Sequence, residues 1–201
     1  GCPDRDTDGD SVVDRLDQCP SERGPRQNKG CPDTDADSDG VVDRLDKCPA
    51  EPETKNGFKD LDGCPDELPV ELQKFVGAIQ GLKFLPNKAE LTKDSLPILD
   101  AAAAVLTENA SVYVEIQGHT DNVGPADANT TLSQQRADTV KAYLIEKGIK
   151  PERLFSQGYG PTKPVGDNNT AAGRAQNRRV EFRLIPQERR SSAAPKDPAA
   201  A

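Results

Sequence analysis

Residues 111–119 read Ser-Val-Tyr-Val-Glu-Ile-Gln-Gly-His, and this stretch decides the fold class of the larger part of the chain. Val112, Val114 and Ile116 occupy every second position and alternate with more polar side chains. Such an alternation is typical of a β-strand that buries at least one face. The sequence therefore predicts a strand here, within a domain that packs a hydrophobic core.

Further strands and helices are predicted on both sides of this strand. The next helix is expected to begin at Ser133, a good N-cap, with Ala137, Val140 and Leu144 on one face before Gly148 ends it. Strands are predicted at 76–84, 154–159 and 178–185, and helices at 91–107, 133–147 and 171–176. This order predicts an α+β fold, a βαβαβαβ sheet with helices on one face.

The first third of the chain has a different composition. Residues 1–66 carry 18 Asp and Glu against 9 Lys and Arg, a net charge of −9, whereas residues 67–201 carry 16 acids and 17 bases. All five Cys lie before residue 67, together with only eight large apolar residues. Because so few apolar side chains cannot order 66 residues, a hydrophobic core does not hold this segment together.

The whole chain has a composition that excludes several functions. Its net charge of −8 argues against a protein that binds nucleic-acid phosphates, which needs a basic face. No apolar run approaches the roughly 18–20 residues of a transmembrane helix. The single histidine, His119, excludes zinc sites that need a pair of histidines.

Two copies of one acidic pattern fill the first third. The stretch from Cys2 to Pro20 recurs 29 positions later as Cys31 to Pro49, and a degenerate third element ends at 60–65. In both copies, Asp occupies alternating positions at the same distances from the Val and Cys residues. A disordered acidic segment would not need to preserve these distances. In Asp4-x-Asp6-x-Asp8-Gly9-Asp10, alternate carboxylates converge only if the backbone wraps around a cation. Ca²⁺, which takes six to eight oxygen ligands, is the natural occupant.

The pattern Asp-x-Asp-x-Asp followed by Asp-x-x-Asp-x-Cys-Pro resembles thrombospondin type 3 repeats over residues 2–66. Neither copy has the bidentate Glu or the flanking helices of an EF-hand. The resemblance implies a chain wrapped around Ca²⁺ ions, with disulfides in place of a core. By analogy the ligands are Asp4, Asp6, Asp8, Asp14, Asp17, Asp33, Asp35, Asp37, Asp43 and Asp46, with Asp10, Asp39, Asp60 and Asp62 as further candidates.

The same resemblance extends to the cysteines. Cys19 and Cys31 flank a polar stretch rich in Gly and Pro, and Cys48 and Cys64 flank a similar one, so we expect disulfides Cys19–Cys31 and Cys48–Cys64. Cys2 is then left over, which indicates a fragment whose upstream partner cysteine has been removed. Zinc is the alternative use of these cysteines, but the sequence has no C-x-x-C pair. Disulfides predict a location outside the cytoplasm.

Two polar clusters, at 118–124 and 129–137, are not explained by packing. Arg136 falls in the first turn of the predicted helix, where the helix dipole disfavours a cation. One interpretation is a salt bridge from Arg136 to Asp121. The other is that Arg136 and the helix N-terminus bind a carboxylate while Asp121 binds an ammonium, as in an amino-acid headgroup. The residues alone leave both interpretations open.

Four motifs resemble the OmpA-like C-terminal domain over about residues 73–186: Gly118-His-Thr-Asp121, Leu132-Ser-x-x-Arg136-Ala, Gly158-Tyr-Gly160 and Gly173-Arg-Ala-x-Asn177-Arg-Arg-Val180-Glu-Phe182. The resemblance implies non-covalent binding of peptidoglycan, which ties the Gram-negative outer membrane to the cell wall. It implies that Asp121 and Arg136 grip the amino and carboxylate groups of diaminopimelate. The same site is expected to include Asn87, Asn129 and Arg179, with Thr120 and Leu132 as neighbours.

Catalysis is not predicted. His119 is near Asp121 and Ser133 in sequence, but Ser133 is assigned as an N-cap, and a triad needs a reactive, exposed nucleophile. No pair of acids stands out as the two carboxyl groups of a glycan hydrolase. We expect a non-enzymatic protein in which His119 is a structural residue, hydrogen-bonded at the end of a strand.

These expectations combine into calcium-binding repeats at 1–66, a peptidoglycan-binding domain at 67–186 and a disordered tail at 187–201. The chain is expected to be the periplasmic portion of a Gram-negative outer-membrane protein. Its partner would be diaminopimelate-type peptidoglycan, with no nucleic acid and with membrane contact only through an upstream barrel or anchor. Two alternatives remain: a calcium-dependent adhesion module, and a wall anchor of the flagellar-stator type, which carries a transmembrane helix instead of an acidic spacer.

Overall fold

A computed structural model describes residues 4–186, and the chain divides into two compact units. The first unit comprises the residues up to Thr54 together with Asp60–Asp66. The second comprises Lys55–Lys59 and the residues from Glu67 onward. Cys2 and the tail at 187–201, for which the sequence predicts a missing partner and disorder, lie outside the described residues.

The first unit is held together by disulfides and by hydrogen bonds from backbone amides to carboxylates. Its described residues form one short 3₁₀ helix, Arg26–Asn28, and otherwise turns and irregular chain. Disulfides join Cys19 to Cys31 and Cys48 to Cys64, with Cα atoms 4.9 and 5.0 Å apart. These are the two pairs expected from the sequence. Each closes a short loop, which is worth about 3 kcal/mol in the chain-entropy relation.

The second unit is built on a four-stranded sheet. Its strands are β1 (Gly77–Ala78), β2 (Val114–His119), β3 (Leu154–Gly160) and β4 (Val180–Leu184), and they lie in the order β1-β4-β2-β3. Strand β2 pairs in parallel with β3 and antiparallel with β4, and β4 pairs antiparallel with β1. The strands predicted around 111–119, 154–159 and 178–185 are confirmed with slightly different ends.

The helices of this unit are α1 (Val70–Gln73), α2 (Leu96–Glu108), α3 (Ala126–Glu146) and α4 (Ala171–Asn177). Two 3₁₀ turns, Lys93–Ser95 and Pro151–Arg153, precede α2 and β3. The predicted α+β fold with helices on one face of the sheet is confirmed. Within the described part of the chain, no helix is both long and apolar enough to span a bilayer.

The core lies between the sheet and the helices. Val114 and Ile116 of β2 and Phe182 of β4 are at most 1% exposed. On α3, the stripe predicted from the sequence (Ala137, Val140 and Leu144) has no exposed surface. Each large apolar side chain buried in this way stabilises the fold by about 1.5–3 kcal/mol.

Two glycines let α3 approach the sheet closely. A Cβ on Gly118 of β2 would lie 2.1 Å from the carbonyl oxygen of Ser133, and one on Gly158 of β3 would lie 2.4 Å from the amide nitrogen of Gln134. Ser133 also joins helix to sheet, because its Oγ accepts a hydrogen bond from the Gly160 N–H at 2.9 Å. These contacts fix the first half of α3 beside the carboxyl end of β2.

The strand predicted at 76–84 is wrong in extent, since β1 comprises two residues. Gly77 and Gly81 have φ angles of 84° and 80°, in the left-handed region that interrupts a strand. The chain turns at residues 80–81, after β1, and Phe84 then pairs with Leu91 in an isolated antiparallel bridge. Periodicity in the sequence does not reveal such a turn.

The predicted start of the long helix is also wrong, because α3 begins at Ala126, seven residues before Ser133. In its first turns, Thr130 and Thr131 donate hydrogen bonds to carbonyl groups four residues earlier, inside the helix. Their hydroxyls therefore do not compete with the helix. Arg136 consequently lies well inside α3, and the helix N-terminus has no part in its surroundings.

Candidate functional site

A cleft of about 850 Å³ lies at the carboxyl end of β2. Its walls include the turn after β2, one face of α3 and the segment 81–87. Six of the seven residues that the resemblance implies for ligand binding line it: Asn87, Thr120, Asp121, Asn129, Leu132 and Arg136. The three from α3 are spaced by three and four positions, so they share one helix face.

Asp121 supplies the negative charge of the cleft, although the residue is only 8% exposed. Its Oδ1 accepts a hydrogen bond from the Val123 N–H at 3.1 Å, and its Oδ2 accepts one from Nη1 of Arg178 at 2.6 Å. The ion pair of Asp121 is therefore made with Arg178. The salt bridge to Arg136 that the sequence left open is not the contact that forms.

Arg136 supplies a half-buried cation. Its Nε donates to the carbonyl oxygen of Lys88 at 3.1 Å, and its guanidinium lies 5.1 Å from the centroid of the Phe84 ring. Burial, followed by the neighbouring Arg178 cation, lowers the pKa of Arg136, and the Asp121 carboxylate partly offsets this. The anchored guanidinium retains the planar fork of donors that matches a carboxylate.

Asn129 and Thr120 have different parts in the cleft. Nδ2 of Asn129 donates to the carbonyl oxygen of Val123 at 2.9 Å and so supports the turn that follows β2. Thr120 is 4% exposed, and its buried Oγ1 has no hydrogen-bond partner among the described residues. A buried hydroxyl left unpaired costs about 1–3 kcal/mol, which a ligand that supplied the missing bond would recover.

Arg179 is not where the resemblance implies. It lines an adjacent cavity of about 550 Å³, and its Nε donates to Glu181. The cleft contains Arg178 and Arg174 instead, and sequence reasoning missed both. Positions 179 and 181 share the sheet face opposite the core residue Val180, so the side chain of Arg179 follows that face. Nothing in the sequence indicates which of the adjacent residues Arg178 and Arg179 lies in the cleft.

The charges that line the cleft are unequal. One carboxylate, that of Asp121, faces four cationic side chains: Lys83, Arg136, Arg174 and Arg178. This set suits a ligand that carries an ammonium group together with more than one anionic group. A purely cationic or purely apolar ligand does not match it.

His119 is buried without hydrogen bonds, which corrects the expectation of a hydrogen-bonded strand end. It is 1% exposed, stacks on Tyr159 with ring centroids 5.5 Å apart, and has no partner for either ring nitrogen among the described residues. Burial, followed by the charge of Arg179, lowers its pKa to about 4. His119 is therefore a neutral packing residue.

In the first unit, two sets of three aspartates converge. One carboxylate oxygen from each of Asp6, Asp8 and Asp10 lies within 4.8 Å of the others, and the same holds for Asp35, Asp37 and Asp39. We call these two sets the Asp triads. Asp10 and Asp39, which ranked behind the other candidates in the sequence, are thus members.

Carboxylate oxygens near the Asp triads are left unsatisfied at matching positions of the two repeats. Asp8 and Asp37 each use Oδ1 to accept a backbone N–H, and their Oδ2 atoms are buried without a partner. Asp17 and Asp46 show the same division between their two oxygens. Burial, together with the carboxylates around them, raises the pKa of Asp8 and of Asp37. Unpaired buried carboxylate oxygens are costly unless a cation meets them.

Several predicted ligands are engaged elsewhere. Asp4 and Asp33 form two-point contacts with Arg15 and Arg44, eleven residues further on. Asp14 and Asp43 accept hydrogen bonds from groups of the chain: Thr7 N–H and Oγ1 for Asp14, and Ala36 N–H and Thr34 Oγ1 for Asp43. Asp60 is 1% exposed, and Asp62 accepts from Lys47 at 3.2 Å. None of these residues is a member of an Asp triad. Donors of the chain bind the oxygens of Asp4, Asp14, Asp33, Asp43 and Asp62.

Comparison with known proteins identifies the family. The OmpA family matches residues 83–178, and the thrombospondin type 3 repeat matches residues 1–27 and 30–56. Outer membrane protein A of Bordetella avium is 38% identical over 134 residues, which cover 64% of this chain and 69% of that protein. The chain belongs to the OmpA family.

Two further relatives extend this finding. The peptidoglycan-binding protein ArfA of Mycobacterium bovis is 36% identical over 115 residues, covering 56% of this chain and 35% of that protein. The crystal structure of the periplasmic domain of Helicobacter pylori MotB is 22% identical with a TM-score of 0.50, covering 57% of this chain and 83% of that one, and shows the same fold. The chain spans 31%, 47% and 69% of the length of three curated relatives that it matches.

Membership of the OmpA family makes this chain a structural protein and not an enzyme. The packing around Ser133 and His119, the nucleophile and base that a catalytic triad would need, is consistent with this. Ser133 has no exposed surface and binds Gly160, and His119 is buried and neutral. Neither side chain has access to a substrate.

Proposed function

We propose that the OmpA-like domain, residues 67–186, binds peptidoglycan through the diaminopimelate of its stem peptide. The observation that carries the proposal is that Asp121 and Arg136, of opposite charge, line one cleft together with the unpaired hydroxyl of Thr120. The free end of diaminopimelate bears an ammonium and a carboxylate on one carbon. The relative named peptidoglycan-binding protein supports the same class of ligand.

Each group of the ligand has a partner in this proposal. The ammonium is accepted by the carboxylate of Asp121, and the carboxylate receives two parallel hydrogen bonds from the guanidinium of Arg136. Thr120 can complete the site with its hydroxyl. Charge-assisted hydrogen bonds of this kind contribute about 1.5–3 kcal/mol each. The excess of cationic side chains suits the further carboxylates of a cell-wall peptide.

Binding of this kind makes the protein a non-covalent anchor between the outer membrane and the cell wall. The relatives named outer membrane porin F and outer membrane protein A support a place in the envelope. The two disulfides are consistent with an oxidising compartment, and we place the chain in the periplasm.

The acidic repeats, residues 1–66, form a calcium-binding spacer in this proposal. The match to thrombospondin type 3 repeats and the unpaired carboxylate oxygens beside the Asp triads both fit Ca²⁺. The residues that would hold it are Asp6, Asp8, Asp10 and Asp17, with Asp35, Asp37, Asp39 and Asp46 in the second copy. Bound Ca²⁺ would neutralise these carboxylates and order the loops that carry them.

Wall binding is tested by co-sedimentation of the chain with diaminopimelate-type peptidoglycan. We expect Asp121→Ala and Arg136→Ala to remain in the supernatant. Asp127→Ala and Arg183→Ala are matched controls, because both residues are exposed and lie outside the cleft, and they should sediment as wild type does. If the two cleft variants also sediment as wild type does, the ligand assignment is wrong.

Calcium binding is tested by chelation. Removal of Ca²⁺ should change the far-UV circular dichroism of residues 1–66 and leave wall binding intact. When Ca²⁺ is added back, we expect half-saturation at about 10⁻⁴–10⁻³ M, as in other extracellular modules. Loss of wall binding on chelation would contradict the role of a spacer and favour an adhesion module.

A further inference from the structure

The chain between residues 83 and 92 forms a hairpin along one wall of the cleft. Phe84 and Leu91 pair in the antiparallel bridge, and the Thr92 N–H donates to the carbonyl oxygen of Lys83 at 3.0 Å. The first five residues of the hairpin line the cleft. Whatever fixes the hairpin therefore also fixes this wall.

The base of the hairpin is fixed by Ser95, which has no exposed surface. Its Oγ accepts a hydrogen bond from the Lys83 N–H at 2.8 Å and donates one to the Lys83 carbonyl oxygen at 2.9 Å. At the tip, Asn87 has a φ angle of 56°, in the left-handed region that Asn adopts more readily than most residues. The hairpin therefore presents its side chains and carbonyl groups in defined positions.

Two groups of the hairpin contact Arg136 of α3. The carbonyl oxygen of Lys88 accepts a hydrogen bond from Nε at 3.1 Å, and the centroid of the Phe84 ring lies 5.1 Å from the guanidinium carbon. No other residue in the described part of the chain accepts a hydrogen bond from this guanidinium, so both Nη groups are unpaired. Because Nε is occupied, a carboxylate can receive two parallel hydrogen bonds only from the two Nη groups.

The ring of Phe84 determines how these Nη groups are directed. A single hydrogen bond at Nε leaves the plane of the guanidinium free to tilt. The face of an aromatic ring attracts a cation that lies over it, and this attraction restricts the tilt. Phe84 is itself held in place, because it packs against the hydrophobic core. The backbone and the ring of one hairpin thus orient the cation together.

We propose that Phe84 is a positioning residue through which the site distinguishes diaminopimelate from lysine. The inference rests on the proposed ligand, since the discriminating group is the carboxylate that Arg136 would bind. Asp121, which would bind the ammonium, is held by other contacts, from the Val123 N–H and Arg178. Loss of the ring should therefore weaken binding of the carboxylate and leave binding of the ammonium unchanged.

The test is calorimetric titration of the full chain with two stem peptides that differ only in carrying meso-diaminopimelate or lysine at one position. Wild type should prefer the diaminopimelate peptide at least about tenfold, and Phe84→Leu should lower this preference about fivefold, the size of a typical cation–π contribution. Phe84→Tyr keeps the aromatic face and should keep the preference. An unchanged preference in Phe84→Leu would overturn the proposal, and so would an equal loss in Phe84→Tyr.

Phe75→Leu is the matched control, because Phe75 is also a half-buried ring packed against the core and does not line the cleft. Both leucine variants should lose stability in urea unfolding, and only Phe84→Leu should lose the preference. An equal loss of preference in Phe75→Leu would reduce Phe84 to a structural residue and overturn the proposal.

The same titrations separate this inference from the proposed ligand. A preference that is present in wild type and intact in Phe84→Leu would overturn the role of Phe84 alone. Equal affinity of wild type for the two peptides would overturn the proposed ligand and this inference together.

Discussion

Oδ2 of Asp121 lies 2.6 Å from Nη1 of Arg178 in the cleft at the end of β2. The two side chains differ in freedom, since that of Arg178 is 47% exposed and that of Asp121 only 11%. The guanidinium of Arg178 is half exposed and can be rehydrated when it moves aside, provided that another cation pairs with the buried carboxylate of Asp121. Asp121 cannot move aside, because the Val123 N–H and the surrounding chain hold its carboxylate. A ligand ammonium can therefore replace the guanidinium.

Arg178→Gln is expected to bind diaminopimelate-type peptidoglycan within about threefold of wild type, which is less than 1 kcal/mol. Its free energy of unfolding should fall by about 1–3 kcal/mol, because the buried carboxylate of Asp121 loses its charged partner. Sedimentation binding curves and urea unfolding measure the two quantities. A loss of binding as large as that of Asp121→Asn would show that Arg178 itself binds the ligand.

Arg136→Lys keeps the charge of the cleft and removes the planar fork that a carboxylate requires. We expect at least about a tenfold loss of affinity for diaminopimelate-type wall, equivalent to about 1.4 kcal/mol. Arg183→Lys, at an exposed position of β4, is the control and should bind as wild type does. Unchanged binding by Arg136→Lys would mean that the site uses this residue only as a positive charge.

Gly118→Ala would separate α3 from the sheet. The new Cβ would lie 2.1 Å from the carbonyl oxygen of Ser133, and overpacking of this kind costs about 1–3 kcal/mol. The variant should lose wall binding as well as stability, because Arg136 and Asn129 move with the helix. Thermal unfolding and sedimentation measure both effects. Gly124→Ala is the control, since nothing lies within 4 Å of its Cβ and its cost is confined to backbone strain.

The parts of this fold that follow from repetition or alternation could be predicted from the sequence. Asp residues in register with Cys predicted the acidic repeats, and the alternation at Val114 and Ile116 predicted β2. The start of α3 could not be predicted, since Thr130 and Thr131 look like loop residues until their hydroxyls are seen to bond within the helix. Local sequence patterns do not show whether a Thr hydroxyl will bond to a carbonyl group of its own helix.

The charged residues of the candidate site could be predicted from the sequence, whereas their hydrogen-bond and ion-pair partners could not. Asp121 and Arg136 were identified by the resemblance, but the partner of Asp121 is Arg178, 57 residues away in sequence. Likewise Asp4 carries the same carboxylate as Asp6, and only the fold shows that Arg15 binds it. Contacts between distant segments decide which of several chemically equal residues face a ligand.

His119 predicts a dependence of stability on pH. Its pKa is about 4 in the folded protein and 6.5 in the unfolded chain, so the unfolded state binds the proton first. The neutral, buried imidazole contributes its full share to the free energy of unfolding above pH 6.5. This contribution decreases as the pH falls from 6.5 to 4 and stays constant below pH 4. The total loss is at most about 3 kcal/mol. Because the chain has one histidine, its imidazole proton signals report the titration directly by NMR. A midpoint near 6.5 in the folded protein would contradict the burial seen here.

The central claim is that Asp121 and Arg136 bind an ammonium and a carboxylate on one carbon. Calorimetric titration of the chain with two stem peptides, one containing meso-diaminopimelate and the other lysine at the same position, tests it most directly. Within the peptide the side-chain ammonium of lysine has no carboxylate on its carbon, whereas that of meso-diaminopimelate has one. We expect the meso-diaminopimelate peptide to bind at least about tenfold more tightly than the lysine peptide, and Arg136→Gln to remove this difference. Equal affinity for the two peptides in the wild-type chain would contradict the claim.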